Sequence, residues 1–157
     1  MATAVTSNKI FANCALKLFD HDPGSASAIV VSGNGGTTKN YLSMKNYENF
    51  VLVVMNSLST AASGPTLVEI LAAEDSSGTN ATVIVTSGTV ASVTVGDNVV
   101  VECTADQIKE VGAAGGYNFT HVTGRITCSN SGDECVVLMG RFTPRFPASG
   151  LTANNIT

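Results

Sequence analysis

The sequence predicts an antiparallel all-β sandwich or barrel carrying one short helix and extended termini. Two observations carry this. The 157 residues include 33 Ser and Thr, 15 Gly and 13 Asn, interleaved with Val, Ile and Leu rather than set apart in tails, which is how turn-rich all-β chains are composed. Ten short apolar or alternating stretches recur along the chain, most of them bounded by Gly, Asn, Asp or Ser. A chain of this length is expected to form one domain. It divides into an N-terminal arm over 1–14, a β domain over 15–147 and a C-terminal tail over 148–157, because the two ends hold few anchoring apolar residues.

Taken in order, Ala15–Phe19 ends at the polar turn Asp20-His21-Asp22-Pro23-Gly24, and Ala28–Val31 precedes Gly33-Asn34-Gly35-Gly36. Tyr41–Met44 and Phe50–Asn56 follow. Thr66–Ala73 stops before Ser76-Ser77-Gly78, Ala81–Thr86 before Ser87-Gly88, and Val90–Val95 before Gly96-Asp97-Asn98. Gly supplies positive φ at such reversals, and Asn, Asp and Ser supply side-chain bonds to the backbone. Val99–Cys103 leads into a helix over Ala105–Val111: Thr104 and Gln107 form a capping box, Asp106 suits the first turn, and Gly112 is the expected stop. Asn118–Cys128 and Cys135–Phe142 complete the set.

Two strands carry phase information. In Thr120–Cys128, Val122, Gly124, Ile126 and Cys128 share one face, while His121, Thr123, Arg125 and Thr127 share the other, so one side is expected to be buried and one wet. Phe50–Met55 is apolar on both faces. Such a strand belongs in a sheet packed on both sides, or at an interface between subunits, and a run of six favours the core.

Net charge is −4, with 13% charged residues and only three Arg, which fits neither a nucleic-acid-binding domain nor disorder driven by self-repulsion. The longest apolar run, Phe50–Met55, is far short of the roughly 18 residues of a membrane-spanning helix, and no signal peptide is readable at the start. A soluble chain that binds neither nucleic acid nor membrane is the expectation.

Motifs for chemistry fail individually. Gly33-Asn34-Gly35-Gly36-Thr37-Thr38 has Thr where G-x-G-x-x-G needs its last Gly, and lacks the G-K-[ST] ending of a phosphate loop. Asp20 and Asp22 have neither the Gly nor the bidentate Glu of a calcium loop. The only histidines, His21 and His121, accompany no G-x-S-x-G elbow. No catalytic residue, cofactor or metal is expected, and the chain is read as a non-enzyme. The sequons at Asn80, Asn118 and Asn155 are as many as composition gives by chance. Cys14, Cys103, Cys128 and Cys135 include no C-x-x-C pair. Cys128 and Cys135 flank a polar turn, so a hairpin sets them opposite one another, either as a bridge or as two buried thiols acting as small apolar residues.

The stretch Arg141-Phe142-Thr143-Pro144-Arg145-Phe146-Pro147 forms a positively charged exit from an acidic chain. Arg and Phe are enriched at interfaces, which makes Arg141, Phe142, Arg145 and Phe146 interface candidates; the alternative is that the two Phe close one end of the sandwich.

The order Lys39-Asn40-Tyr41-Leu42-Ser43-Met44-Lys45-Asn46-Tyr47 before an apolar strand, then Thr66–Ala73, the short helix, Gly115-Gly116-Tyr117-Asn118-Phe119-Thr120-His121-Val122 and the Arg141–Pro147 exit resembles the head decoration, or capsid cement, proteins of tailed bacteriophages. The likeness spans roughly residues 39–147. It implies a jelly-roll-like antiparallel fold and a homo-oligomer, dimer or trimer, assembled in the host cytoplasm. The implied role is to bind the outer capsid surface of the virion at junctions between major capsid protein subunits, through the Arg-Phe exit and the N-terminal arm. The rival readings are a tail or fibre subunit and a carbohydrate-binding module, the second disfavoured by the absence of Trp.

Overall fold

A strand with one apolar face removes that face from water only by closing against another sheet, and the alternating stretches do so as two antiparallel layers. The computed structural model describes residues 14–21, 28–31, 39–58, 64–90, 94–130 and 132–144. In chain order the elements are β1 (Cys14–His21), β2 (Ala28–Val30), β3 (Leu42–Ser43), β4 (Tyr47–Leu58), β5 (Pro65–Ala73), β6 (Thr82–Thr86), β7 (Asn98–Thr104), α1 (Ala105–Gly115), β8 (His121–Cys128) and β9 (Glu134–Pro144). Sheet A has the order β1-β9-β4-β7, and sheet B the order β2-β8-β5-β6. The two-residue β3 pairs with β8 beyond the end of β2, so the two act as one interrupted strand.

Without β3, the pairing is nested. First pairs with last (β1·β9), second with seventh (β2·β8), third with sixth (β4·β7) and fourth with fifth (β5·β6), all antiparallel. The ladders β4·β9 and β5·β8 join these pairs into sheets.

The inner faces supply the core. Phe50, Leu52 and Val54 of β4 and Val137 and Met139 of β9 meet Val68 and Ile70 of β5 and Val122 and Ile126 of β8, all fully buried. Gly124 of β8 faces Leu52: a Cβ placed there would lie 2.8 Å from Leu52 Cδ1 and 3.0 Å from Val31 Cγ2. The layers approach this closely only because position 124 has no side chain.

Helix α1 begins as expected. Gln107 N–H donates to Thr104 Oγ1 at 3.2 Å, and Thr104 N–H donates to Gln107 Oε1 at 2.9 Å. It does not stop at Gly112. The helix runs to Gly115 and is capped by Gly116 in the left-handed region, φ 75°. Gly112 is instead buried where a Cβ would lie 2.8 Å from the Tyr117 carbonyl oxygen, so this glycine serves close packing of the following loop rather than termination. Ile108, also buried, anchors the helix to the core.

Four other expectations change. At its described residues the stretch Val90–Val95 forms no strand: the Asp97 carboxylate accepts from Thr94 N at 2.9 Å and Thr94 Oγ1 at 2.6 Å, closing a turn that competes with sheet pairing. Strand β8 starts at His121 rather than Asn118, because Thr120 is held across the layer, its hydroxyl donating to the Glu74 carbonyl at 2.6 Å. The second face of β8 is only partly wet: His121, Arg125 and Thr127 are half-buried. Thr123 is fully buried, and the Arg125 Nε lies 2.7 Å from Glu69 Oε2. Cys14, placed in the arm by sequence, already pairs with Phe142, while the remainder of the arm and the tail over 148–157 lie outside the described residues. Among the described residues, no helix is long and apolar enough to cross a membrane.

Two outcomes follow from these contacts. Gly124→Val should destabilise the fold by about 1–3 kcal/mol through overpacking against Leu52, read as a lowered midpoint in urea unfolding; an unchanged midpoint would mean the layers are not closed at this point. The second concerns the turn after β5, where the Thr79 hydroxyl and the Thr79 and Ser77 N–H groups donate to Asp75 and hold its carboxyl below the usual aspartate range. The folded chain therefore takes up this proton less readily than the unfolded one, so the stabilisation is present above the ordinary aspartate pKa and lost as pH falls through the lowered one. Asp75→Asn should flatten the decline of melting temperature below about pH 5, where pH falls through the ordinary aspartate value and past it.

Candidate interface

The register of β9 separates the interface candidates. Cys135, Val137 and Met139 point into the core, and Arg141 continues that phase, whereas Val136, Leu138, Gly140 and Phe142 point outward from sheet A. Arg141 and Phe142 therefore do not form one contact surface. The Arg141 guanidinium stacks over the Tyr47 ring at 4.7 Å from its centroid, and its Nη1 donates to the Ser43 carbonyl at 2.8 Å. Burial lowers its pKa, partly offset by Tyr47, and the group stays charged as arginine does in proteins. Arg141 thus ties the end of β9 to β3 and to the start of β4. Arg145 and Phe146 lie outside the described residues.

Phe142 belongs to a different surface. Its ring lies over Gly140, whose absent side chain leaves the space: a Cβ there would meet Phe142 Cε2 at 2.6 Å and Leu16 Cδ2 at 3.0 Å. This is an aromatic ring covering a glycine on the neighbouring row. Around it, the outer face of sheet A is apolar. Cross-strand partners in antiparallel ladders share a face, which places Leu18, Leu138, Val53 and Val100 in one row across all four strands. Leu16, Gly140 and Val51 form the next row, and Val136 and Met55 flank it on the other side. Leu18 is 60% exposed, Val100 56%, Met55 43% and Leu16 36%. The doubly apolar Phe50–Met55 is therefore half core and half surface: alternate residues fill the sandwich, and Val51, Val53 and Met55 face out.

The outer face of sheet B is built differently. Leu71, Ala73 and Thr123 are buried on it, beside the Glu69–Arg125 ion pair. Part of the cover is Tyr41, buried, with its ring against Gly78 of the β5–β6 turn. Burial raises the Tyr41 phenol pKa, and the nearby Arg125 charge offsets part of this. Side chains of that turn lock it in place, Asn80 Nδ2 donating to Glu74 Oε2 at 2.6 Å. One outer face is closed by the chain itself, and the other is left open and apolar.

No other constellation is organised for chemistry among the described residues. His121 Nδ1 lies 2.8 Å from the hydroxyl of Thr120, its neighbour in sequence. A depression lined by Glu48, Asn49, Thr104, Ala105 and Asp106 sits beside the start of α1, and its two carboxylates make it unsuited to an anion. Among the described residues, no group of three or more His, Cys, Asp or Glu is placed to hold a metal ion. Cys128 and Cys135 are not hairpin partners, since β8 and β9 belong to different sheets; they meet between the layers as free thiols with Sγ atoms 3.9 Å apart, both buried. The hydrogen bond they share draws Cys128 down and pushes Cys135 up, burial adding to the rise at Cys135. Asp133, buried beside them, accepts from Asn130 N at 3.0 Å and Ser129 Oγ at 3.1 Å and closes the turn.

Replacing Arg141 by Ala should lower stability by about 1–2 kcal/mol, the sum of a half-buried cation–π contact and one charged hydrogen bond, measured by chemical unfolding. Arg141→Lys should recover little of the loss, since an ammonium cannot both stack and reach the Ser43 carbonyl; full recovery would mean charge alone matters. Set beside known proteins, the chain matches no family model, no curated protein and no solved structure.

Proposed function

We propose that this chain is a virion structural protein, a jelly roll that decorates the heads of tailed bacteriophages and stabilises them by bridging junctions between major capsid protein subunits on the outer surface. The observation that carries the reading is the nested strand order. Eight strands paired first with last down to fourth with fifth, split over two four-stranded sheets, is the arrangement expected when two Greek keys are wound together. That architecture is used by capsid and lectin domains alike, and fold alone does not assign function. The ordered resemblance over roughly residues 39–147 and the open apolar face of sheet A favour the virion reading over the sugar-binding one. A cement role needs binding and no turnover, and in this reading the chain is a non-enzyme that uses neither cofactor nor metal.

In this reading Arg145, Phe146 and the segment before Cys14 make the head contacts. Cys14 and Phe142 lie side by side at one end of sheet A, so both terminal segments start from the same end of the domain. Contacts made from one end by two segments gain from effective concentration once the first is formed. Arg141 supports that end from inside, and Phe142 belongs to the sheet face.

Co-sedimentation with mature heads that lack the protein, alongside unexpanded precursor shells, tests the reading. Saturable binding at a fixed ratio to the major capsid protein, on mature heads only, is the expected result. Arg145→Ala combined with Phe146→Ala should weaken it about tenfold or more without changing the melting temperature. Absence of binding to either particle would overturn the reading in favour of a tail or fibre subunit or a sugar-binding module.

A further inference from the structure

We propose that the outer face of sheet A is the contact between two copies of this chain, packed sheet against sheet. The inference supplies the homo-oligomer contact that the proposed function calls for, and rests on that reading only for what the pair does on a particle.

Four of the six exposed large apolar side chains of the described residues, Leu16, Leu18, Met55 and Val100, lie on this one face. Scattered exposed apolar residues are ordinary, but a contiguous patch marks an interaction site. The row Leu18–Leu138–Val53–Val100 is apolar from one edge of the sheet to the other. No polar residue in that row marks where a partner should stop.

Charge and symmetry select the occupant. The charged side chains on the outward positions of β4, β7 and β9 are Glu102 and Glu134, both carboxylates. Lys17 and Arg141 take the inward phase. Without a cation on the face, an anionic partner such as a phosphate backbone or an acidic lipid surface has nothing to bind. A second copy fits by construction. A two-fold axis lying in the contact plane along the strands, between β9 and β4, sets Leu138 of one copy over Val53 of the other and Leu18 over Val100, so the apolar row meets itself in an isologous contact. Twisted sheets pack in this way about 10 Å apart with strands inclined by roughly 30°.

The area is sufficient. Four strands about 4.8 Å apart and the seven residues from Val136 to Phe142 at about 3.4 Å each give a footprint of roughly 400 Å² per copy in projection. Two footprints, with the relief of the side chains and a polar rim of Asn98, Glu102 and Thr104, reach the roughly 1,200 Å² at which specific interfaces begin. Homodimer contacts are also the more apolar kind.

The test measures mass in solution without heads, by sedimentation equilibrium and light scattering on the purified full chain. The wild-type protein should be a dimer of the 16.1 kDa chain. Leu18→Glu and Val100→Glu, both at exposed sites where folding does not need the apolar side chain, should each raise the dissociation constant about tenfold or more by burying an unpaired charge against Glu102 and Glu134. Val95→Glu, at an exposed apolar residue off this face, should leave the dimer intact, and circular dichroism should show all three variants folded. A monomeric wild-type protein at about 100 μM would overturn the inference, as would a trimer, or a dimer that both face variants leave unchanged. Failure here is separable from failure of the proposed function: a monomer that binds heads overturns this contact alone, and a dimer that binds no head overturns the head reading alone.

Discussion

The register of β9 between β1 and β4 is the constraint on which the rest of the structure depends. Leu138 lies opposite Leu18 on one side and Val53 on the other, and because side chains alternate with a period of two, that alignment assigns every residue of sheet A to one face. Cys135, Val137 and Met139 are thereby sent to the core and Val136, Leu138 and Phe142 to the surface. A slip of one residue would exchange the two sets. It would also move Gly140 out of line with Leu16 of β1, whose side chain uses the space the glycine leaves, so this glycine acts as a register mark. Packing of the two layers and the chemistry of the outer face thus follow from a single alignment.

Much of this was legible in the chain. Turn residues marked most element ends, and the Thr104–Gln107 capping box located the start of α1 because its two hydrogen bonds are local. What could not be read was decided by distant contacts. Gly112 carries the signature of a helix stop, yet its role is set by the Tyr117 carbonyl that passes over it. The strand expected at Val90–Val95 has adequate β propensity, but the Asp97 carboxylate binds Thr94 first. His121 to Thr127 alternates like a half-wet strand, and nothing in that segment announces that Tyr41 and the turn after β5 fold back over sheet B.

The interface candidates were legible only by composition. Arg141 and Phe142 are adjacent, and adjacency in a strand means opposite faces; which face is core depends on the ladder with β4, not on the dipeptide. The signal that pointed to the open face was the doubly apolar run Phe50–Met55. A strand apolar on both sides needs two covers, and the described chain supplies one, sheet B. The run is half surface because β4 is central in sheet A while the layer on its far side is absent from the described residues.

The two outer faces express this difference as energetics. Sheet B holds a partly buried ion pair, Glu69 with Arg125, beside the covering Tyr41, and such a pair favours one arrangement of its surroundings because Glu69 left alone would be a largely buried charge. Its cover is therefore intramolecular and specific. The outward positions of sheet A carry, among the described residues, no ion pair to satisfy and no cation to direct a partner, so its cover is selected by shape and apolar area. A surface of that kind is matched most simply by its own copy, since every feature it presents is presented back to it by the same sequence. In a pair closed across sheet A, each domain would keep its β9 exit and its β1 entry at one end of the sheet, outside the apolar row. The dimer would then hold four terminal segments in fixed relation, and a head contact made by one would raise the effective concentration of the other three. Separating the self-contact on the sheet face from the particle contact at its end lets each be strong without competing for the same residues.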